Sequence, residues 1–290
     1  MWIEVAAYAK LNISLDVLSK MPDGYHELRM VMQTVTLCDD VAVTCTPGEG
    51  VSVGTTLHYL PGDDRNIAAK AAARFFEYTG ITDYAARIDI RKRIPVCAGL
   101  GGGSADGAAV LRGLNTLFKT GLSGETLEKI GEAVGSDVPF CVRGGTVAAV
   151  GRGNIMTDLP ALPACDLVIV KPTFALSTPE LFSKLDCNKL RRRPDTDGIL
   201  SALRDGSLSG VARRMYNVFE DVLPRGRDEI EAVKSRLLDF HALGAVMTGT
   251  GSAVFGVFDD PLRARAAHAA LSKVHKECFL TKPVGRLTET

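Results

Sequence analysis

The sequence predicts an α+β protein of two domains. Its 290 residues exceed the roughly 100–150 of a typical single domain, and its 46% hydrophobic and 23% charged residues are those of an ordinary folded chain. The first half opens on strand-like stretches, and the second half follows the β-α-β-β-α-β order of a ferredoxin-like domain. Two prolines in "MTDLPALPAC" favour a boundary, so we expect an N-terminal domain over residues 1–158 and a C-terminal domain over 159–290.

The N-terminal domain begins with a predicted sheet. Apolar residues alternate with polar ones along "LNISLDV", a period of two that indicates a half-buried strand with Lys10 and Asn12 on its other face. The stretch "LRMVMQTVTLCDDVAVTCTP" predicts two strands joined at Cys38, Asp39 and Asp40, and "GVSVGTT" predicts a further short strand.

Helices and strands then alternate. Capping aspartates, an alanine-rich interior and a closing glycine predict a helix in "DDRNIAAKAAARFFEYTG", and "ARIDIRKRIP" indicates a strand that stops at Pro95. The apolar spacing predicts a helix from about Ser104 that stops at Gly121. A helix over about 124–134, the segment "GSDVPF" and the strand "GGTVAAVGRG" follow.

The C-terminal domain is predicted to start with the strand "DLVIVKP", and a helical zone continues to about residue 240. Two strands around a glycine-rich bend are indicated by "ALGAVMTGTGSAVFGVF", followed by a helix in "DPLRARAAHAALSKV" and a last strand in "ECFLTKPV".

The composition argues against several classes of partner. Lys plus Arg equals Asp plus Glu at 34 each, which gives nucleic acids and anionic membranes no overall electrostatic attraction. The three arginines of "KLRRRPDTD" precede aspartates and predict a solvated loop. The seven cysteines form no CxxC pair, which favours a reducing cytoplasm over a disulfide framework or zinc site. No basic region precedes an apolar core in "MWIEVAAYAKLNIS", and no apolar run approaches the roughly 18 residues that span a bilayer, so we expect neither secretion nor membrane insertion.

The stretch "VCAGLGGGSADGA", residues 96–108, joins a strand to a helix and has four glycines in five positions. Closely spaced glycines let the backbone approach a ligand, and the first N–H groups of a helix attract anions. We therefore expect a phosphate site, although a tight turn without a ligand would also use glycines. The Walker and G-x-G-x-x-G patterns both fail here. Asp106 would repel a bare triphosphate, so it points away or the phosphates arrive with Mg²⁺.

The same segment resembles the phosphate-binding motif of the GHMP kinases, the galactokinase, homoserine, mevalonate and phosphomevalonate kinase superfamily. The motif is present as Pro95, Gly99, Leu100, Gly101, Gly102, Gly103 and Ser104. The triple glycine is most similar to one branch, the 4-diphosphocytidyl-2-C-methyl-D-erythritol kinases of bacteria and plastids. The stretches "AYAKLNISLDV", "DGYHEL", "GSDVPF" and "MTGTGSAVFGVF" resemble further motifs of that branch in the same order. Gly107 and Asn154 depart from it, where alanine and glutamate are usual.

The resemblance implies a fold and an activity. The N-terminal domain would be like domain 2 of ribosomal protein S5, and the C-terminal domain would be ferredoxin-like. The activity would be ATP-dependent phosphorylation of the 2-hydroxyl of 4-diphosphocytidyl-2-C-methyl-D-erythritol in the non-mevalonate (MEP) route to isoprenoids. ATP would arrive as its Mg²⁺ complex, without a metal held by the protein alone. The partners would be ATP and the small cytidylyl substrate, with neither a nucleic acid nor a membrane.

The resemblance also implies roles for residues. Asp137 would be the general base, with Lys10 stabilising the charge on the transferred group and Asn12 ordering a reactant. The cytosine would stack between the rings of Tyr25 and Phe182. His26 would contact the edge of the base, and Thr178 would add a polar contact. Asn66, Ile67 and Lys92 would contact adenine and ribose, with Pro95 and residues 99–104 at the phosphates. A second loop, Gly249, Thr250 and Gly251, would face the same cleft.

Without the resemblance, each of these residues has an ordinary structural interpretation. Asp137 would cap a helix that Val138 and Pro139 begin, and Lys10 would be a solvated lysine at a strand edge. Two other functions also stay open at this point. One is a sister kinase acting on homoserine or mevalonate, and the other is a nucleotide-binding protein that has lost catalysis.

Overall fold

The computed structural model describes residues 1–190 and 192–287, which form two β-sheets with helices packed against them. The strands of the larger sheet are β1 (Trp2–Lys20), β2 (His26–Pro47), β3 (Val51–Thr55), β4 (Tyr84–Arg91), β5 (Thr146–Gly151), β6 (Ile155–Asp158) and, from later in the chain, β8 (Tyr216–Asn217). The strands of the smaller sheet are β7 (Asp166–Lys171), β9 (Gly244–Met247), β10 (Val254–Phe258) and β11 (Glu277–Thr281).

Helices cover both sheets. They are α1 (Ile67–Thr79), α2 (Gly102–Phe118), α3 (Gly124–Glu132), α4 (Val138–Arg143), α5 (Thr178–Lys184), α6 (Thr196–Arg204), α7 (Leu208–Ala212), α8 (Arg227–Asp239) and α9 (Pro261–Leu271). A short 3₁₀ helix spans Val218–Val222. No helix of the described residues is both long and apolar enough to cross a membrane.

The smaller sheet has the strand order β11-β7-β10-β9, with each neighbouring pair antiparallel. Helices α5 to α8 lie between β7 and β9 in the chain, and α9 lies between β10 and β11. The β-α-β-β-α-β order expected from the sequence is therefore confirmed, with the first helix replaced by several.

The larger sheet has the order β3-β4-β2-β1-β8, and β5 and β6 continue from β2. Both faces of β1 are buried along its middle, so the half-buried strand predicted there is wrong. Helix α2 packs on β1, and the C-terminal strand β8 pairs with β1 in parallel at Ser14 and Leu15. Polar side chains on β1 are thereby enclosed between the two halves of the chain.

The two strands predicted around Cys38, Asp39 and Asp40 are one continuous strand, β2. The polar pair of aspartates suggested a turn, but the Asp39 carboxylate is fully buried and accepts hydrogen bonds from the backbone amide of Ile94, at 2.8 Å, and from the Lys92 ammonium group. An aspartate with such partners is stable inside a sheet.

Other predicted boundaries shift by a few residues. The cap of α1 is Asn66, whose Oδ1 accepts from the Ala68 amide at 2.9 Å, and the predicted aspartate caps are wrong. Strand β4 ends at Arg91, before Pro95. Helix α2 begins at Gly102, two residues before the predicted start, and ends at Phe118. Its C-cap Lys119 has the left-handed conformation, two residues before the predicted stop at Gly121.

Segments of the C-terminal half return to the larger sheet. Besides β8, residues 282–287 form bridges that join Pro283 to Val35 and Arg286 to Gly144, the residue that ends α4. The domain boundary after residue 158 stays a prediction. In the predicted solvated loop "KLRRRPDTD", Arg191 lies outside the described residues, but Arg193 pairs with the buried Asp16 at 2.6 Å. That loop is therefore anchored to β1.

Candidate active site

A buried lysine on β1 lies beside an aspartate at the start of α4. The Nζ of Lys10 donates to Oδ1 of Asn12 at 2.7 Å and lies 3.6 Å from Oδ2 of Asp137. Lys10 is 5% exposed and Asn12 is fully buried, whereas the Asp137 side chain is 37% exposed. The arrangement holds a fixed cation beside a carboxylate that solvent or a ligand can reach.

The local sequence explains both positions. Lys10 and Asn12 are two residues apart on a strand, so their side chains share a face. Asp137 occupies the N-cap position of α4, and Pro139 follows within its first turn, but the Asp137 carboxylate makes no capping hydrogen bond. The N-cap interpretation is therefore correct for the backbone, while the carboxylate is directed to Lys10 instead.

The glycine-rich loop lies against Lys10. The Lys10 amide donates to the Leu100 carbonyl at 3.0 Å, and a Cβ on Gly101 would come within 2.9 Å of Lys10 Cγ. Gly99 and Gly101 have φ angles of 76° and 68°, in the left-handed region that favours glycine. Gly101 is the N-cap of α2, so the first N–H groups of that helix open next to the Lys10 side chain.

The bend between β9 and β10 packs on this loop. A Cβ on Gly99 would come within 2.1 Å of the Thr248 carbonyl oxygen, and the Ala253 amide donates to the Ala98 carbonyl at 3.1 Å. The Thr248 hydroxyl accepts a hydrogen bond from the backbone amide of Asn12 at 2.9 Å. The structure thus brings three of the predicted motifs together around Lys10.

A cavity of about 190 Å³ opens beside the start of α2. Its walls include Asn66, Ile67 and Pro95 together with Gly102 and Gly103. The Asn66 side chain accepts a hydrogen bond from the Ala68 backbone amide at 2.9 Å and donates one to the Pro61 carbonyl at 2.8 Å. A cavity that has apolar walls at Ile67 and Pro95 and ends at a helix N-terminus can hold a flat base with its phosphates on the glycine loop.

Lys92 also lines this cavity, but its ammonium group is held by two carboxyl groups, those of Asp39 at 2.5 Å and Asp106 at 2.7 Å. Burial alone would lower the pKa of Lys92, but the attraction of Asp106 and Asp39 outweighs it and the pKa rises. Burial raises the pKa of Asp106 to about 8. The Asp106 side chain contacts Lys92 and also lines the cavity, so the two alternatives expected for it stay open.

Aromatic side chains cluster between β2 and α5. The rings of His26 and Phe182 have centroids 4.8 Å apart, and Phe219 packs edge-on against Phe182 at 4.9 Å. Burial lowers the pKa of His26, with a smaller effect from Lys20, so the imidazole is neutral at pH 7 and can donate or accept. Tyr25 is 59% exposed.

Thr178 connects this aromatic cluster to the β9–β10 bend. It begins α5, the helix that carries Phe182, and its hydroxyl lies 2.8 Å from that of Thr250. The predicted cytidine-binding residues and the predicted second loop are thereby joined across 72 positions of the chain.

Comparison with known families decides the classification. The profile of the GHMP kinases N terminal domain matches residues 66–145, and that of the GHMP kinases C terminal domain matches residues 199–277. Together they cover more than half of the chain. The chain belongs to the GHMP kinase family.

Relatives of this GHMP kinase match it over nearly its whole length. It is 41% identical over 281 residues to the 4-diphosphocytidyl-2-C-methyl-D-erythritol kinase of Clostridium kluyveri, which covers 97% of this chain and 99% of the relative. It is 39% identical over 284 residues to the protein of the same name from Alkaliphilus metalliredigens, with 98% and 97% covered.

Solved structures agree with the fold. A 4-(cytidine 5'-diphospho)-2C-methyl-D-erythritol kinase superimposes with a TM-score of 0.81 at 30% identity, covering 98% of this chain and all of that one. The homoserine kinase of Cytophaga hutchinsonii gives a TM-score of 0.75 at 20% identity, with 98% and 95% covered, and supports the fold alone. The predicted two-domain α+β GHMP kinase fold is confirmed.

This GHMP kinase is an ATP-dependent small-molecule kinase, as its family and relatives establish.

Several residues that shape its candidate site were not identified by the sequence analysis, namely Thr248, Asn217 and Asp39. Asn217 is fully buried and donates to the carbonyls of Met247 and Gly249, at 2.8 and 2.7 Å, which fixes the bend. A lone asparagine after "RRMY" carries no pattern that would have revealed this contact.

Proposed function

We propose that this kinase phosphorylates the 2-hydroxyl of 4-diphosphocytidyl-2-C-methyl-D-erythritol, a step of the MEP route to isoprenoids. The observation that carries the proposal is full-length similarity to kinases of that name at about 40% identity. The aromatic cluster of His26 and Phe182, next to exposed Tyr25, suits the flat base of a cytidylyl group. An acceptor without a base, such as homoserine or mevalonate, would have no use for it.

In the proposed reaction, Asp137 accepts the proton of the acceptor hydroxyl. The hydroxyl oxygen then forms a bond to the γ-phosphorus of ATP, and the bond from that phosphorus to the β–γ bridging oxygen breaks, which releases ADP. Lys10, held by Asn12, stabilises the negative charge of the transferred group. Transfer of this kind depends on position and charge more than on covalent chemistry.

The nucleotide is proposed to lie in the cavity beside α2. Asn66, Ile67 and Lys92 would face the adenosine, and the amides of residues 99–104 would hold the phosphates together with Pro95 and Leu100 as the rigid flank of the loop. The bend of Gly249, Thr250 and Gly251 would close the phosphate side, and Thr178 would add a hydroxyl next to the acceptor.

We also propose that ATP binds as its Mg²⁺ complex. Among residues 1–190 and 192–287 no group of three His, Cys, Asp or Glu side chains could hold a metal. The Ser104 hydroxyl is an oxygen donor of the kind that Mg²⁺ uses when phosphates supply its other ligands. When bound, the metal would neutralise phosphate charge. We propose a cytoplasmic enzyme that acts on ATP and this small-molecule substrate and binds neither nucleic acid nor membrane.

A coupled assay of ADP release tests the proposal. The purified kinase is offered 4-diphosphocytidyl-2-C-methyl-D-erythritol, homoserine, mevalonate and galactose at equal concentrations. The first compound should give the highest kcat/KM, and Tyr25→Ala should raise its KM by an amount equivalent to about 1 to 3 kcal/mol of lost stacking. Faster turnover of homoserine or mevalonate would refute the proposed substrate, and no ADP release with any of them would favour a binding protein.

A further inference from the structure

An arginine outside the assigned site covers one face of Tyr25. Arg152 lies in the turn between β5 and β6, and its Cζ is 4.1 Å from the centroid of the Tyr25 ring. Tyr25 itself is 59% exposed. A guanidinium group at this distance from a ring face is attracted by the ring's negative quadrupole.

The same arginine is tied to the turn that carries the tyrosine. Arg152 forms an ion pair with Asp23, and the Asp23 carboxylate also accepts from the backbone amide of Tyr25 at 3.0 Å. These contacts lower the pKa of Asp23, first through the Tyr25 amide and then through Arg152. Asp23, Tyr25 and Arg152 therefore contact one another pairwise, and these contacts hold the three side chains in place.

The backbone of Arg152 is anchored from the opposite side. Its amide donates to Oδ1 of Asn154 at 3.3 Å, and the Asn154 amide group donates to Glu132 at the end of α3, at 2.9 Å. Gly151 and Gly153, on either side of Arg152, have φ angles of 67° and 94°, which glycine adopts without strain. The arginine thus projects from a defined turn whose position depends on the larger sheet.

We propose that Arg152 is a positioning residue for recognition of the cytidylyl group, an inference that rests on the proposed function. Its guanidinium covers one face of the Tyr25 ring and leaves the other face for the cytosine. An exposed tyrosine that is free to rotate loses conformational entropy when a base stacks on it. A ring already held by Arg152 loses less, so the substrate binds more tightly.

Arg152 could instead contact the diphosphate of the substrate directly, because the substrate is an anion. The two roles make opposite predictions in a double-mutant cycle with Tyr25. If Arg152 acts through the ring, its removal has no effect once the ring is gone, whereas a direct contact with the diphosphate persists without the ring.

The cycle uses Arg152→Met, Tyr25→Leu and the double variant, with kcat/KM for 4-diphosphocytidyl-2-C-methyl-D-erythritol as the readout, which needs no saturation. Arg152→Met should lower kcat/KM about two- to five-fold, through KM, as expected for an exposed cation–π contact. The kcat and the KM for ATP should not change, and Arg152→Lys should restore part of the loss. In the Tyr25→Leu background, Arg152→Met should have no further effect.

Arg87→Met is the matched control. Arg87 forms a similarly exposed pair with Asp89, at 2.6 Å on β4, and it should leave all constants unchanged. Additive losses in the cycle, an unchanged kcat/KM in Arg152→Met, or an equal change in the KM for ATP would each overturn the proposal while the proposed function stands. If the unmodified kinase fails to phosphorylate this compound, the proposed function fails and the positioning role fails with it.

Discussion

The carboxylate of Asp137 lies 3.6 Å from the Lys10 ammonium group and caps no backbone amide, although Asp137 is the N-cap residue of α4. An aspartate at this position ordinarily satisfies one of the free amides of the first turn. Here the carboxylate faces a buried cation and stays partly open to solvent. This arrangement separates the catalytic contribution of Asp137 from that of a helix cap, and the two can be measured apart.

Asp137→Asn should lower kcat by about 10²- to 10⁴-fold, the usual contribution of a general base. The KM for ATP should change little, since Asp137 is assigned to the acceptor. Release of ADP at the unmodified rate in a coupled assay would show that the assigned base is wrong.

The stability of Asp137 variants provides a second comparison. Asp137→Ala removes no capping bond, so any change in its Tm should come only from the lost ion pair with Lys10 and should vanish in a Lys10→Met background. Asp260→Ala is the control, since the Asp260 carboxylate does cap α9 by accepting from the Leu262 amide at 2.8 Å. Its loss should cost about 1 kcal/mol of unfolding free energy and leave kcat unchanged. A loss of Tm in Asp137→Ala that persists in the Lys10→Met background would contradict the interpretation.

Lys10→Met should lower kcat by about 10²- to 10³-fold, the cost of removing one group that stabilises charge in a transition state. Lys10→Arg should not restore activity, because the Lys10 side chain packs closely against Gly101, where a Cβ would come within 2.9 Å of Lys10 Cγ. The bulkier guanidinium has no room there. A fully active Lys10→Arg enzyme in the coupled assay would contradict this account of the site.

Alanine substitutions at two glycines with similar φ angles distinguish the cost of backbone strain from the cost of a steric clash. Gly99 and Gly80 have φ angles of 76° and 66°, but a Cβ would meet the Thr248 carbonyl oxygen within 2.1 Å at Gly99 and nothing within 4 Å at Gly80. Gly80→Ala should cost about 1 kcal/mol of stability through strain alone. Gly99→Ala should cost more and raise the KM for ATP, as measured by thermal unfolding and initial rates. Equal effects would refute the packing of the loop on the β9–β10 bend.

The sequence predicted the local features of this site well. The glycine loop, the N-cap position of Asp137 and the shared face of Lys10 and Asn12 depend on residues close together in the chain, where periodicity and turn chemistry act directly. The order of the motifs also supported the resemblance to the GHMP kinases, and the roles of individual residues were assigned from that resemblance. Those roles of individual residues stay predictions.

What the sequence did not reveal depends on contacts between distant segments. The hydrogen bond from the backbone amide of Asn12 to the Thr248 hydroxyl joins residues 236 positions apart. Strand β8, from the second half of the chain, pairs with β1, which begins at Trp2. The Asp39 segment was predicted wrongly for the same reason. Two adjacent aspartates indicate a turn unless distant cations compensate them, here Lys92 for Asp39 and Arg93 for Asp40. Local propensity is overridden where tertiary partners satisfy a polar group.

Asp106 provides a prediction about pH. Burial raises its pKa to about 8, against an ordinary value of 3.8 in the unfolded chain, and Asp39 and Lys92 are the charged groups that face it. A carboxyl group whose pKa is raised by folding favours the folded state when protonated. Its contribution is therefore complete below about pH 4 and is lost as the pH rises through about 8.

Asp106→Asn keeps the shape of the side chain and cannot ionise, so the variant should not show this loss. Unfolding temperatures of both proteins between pH 5 and pH 8.5 should diverge in favour of Asp106→Asn as the pH rises. Asp63→Asn is the control, because the pKa of exposed Asp63 is lowered by the Arg65 side chain, and its titration lies below this window. Parallel curves for Asp106→Asn and the unmodified protein would show that Asp106 is ionised throughout, with Lys92 shared by two carboxylates.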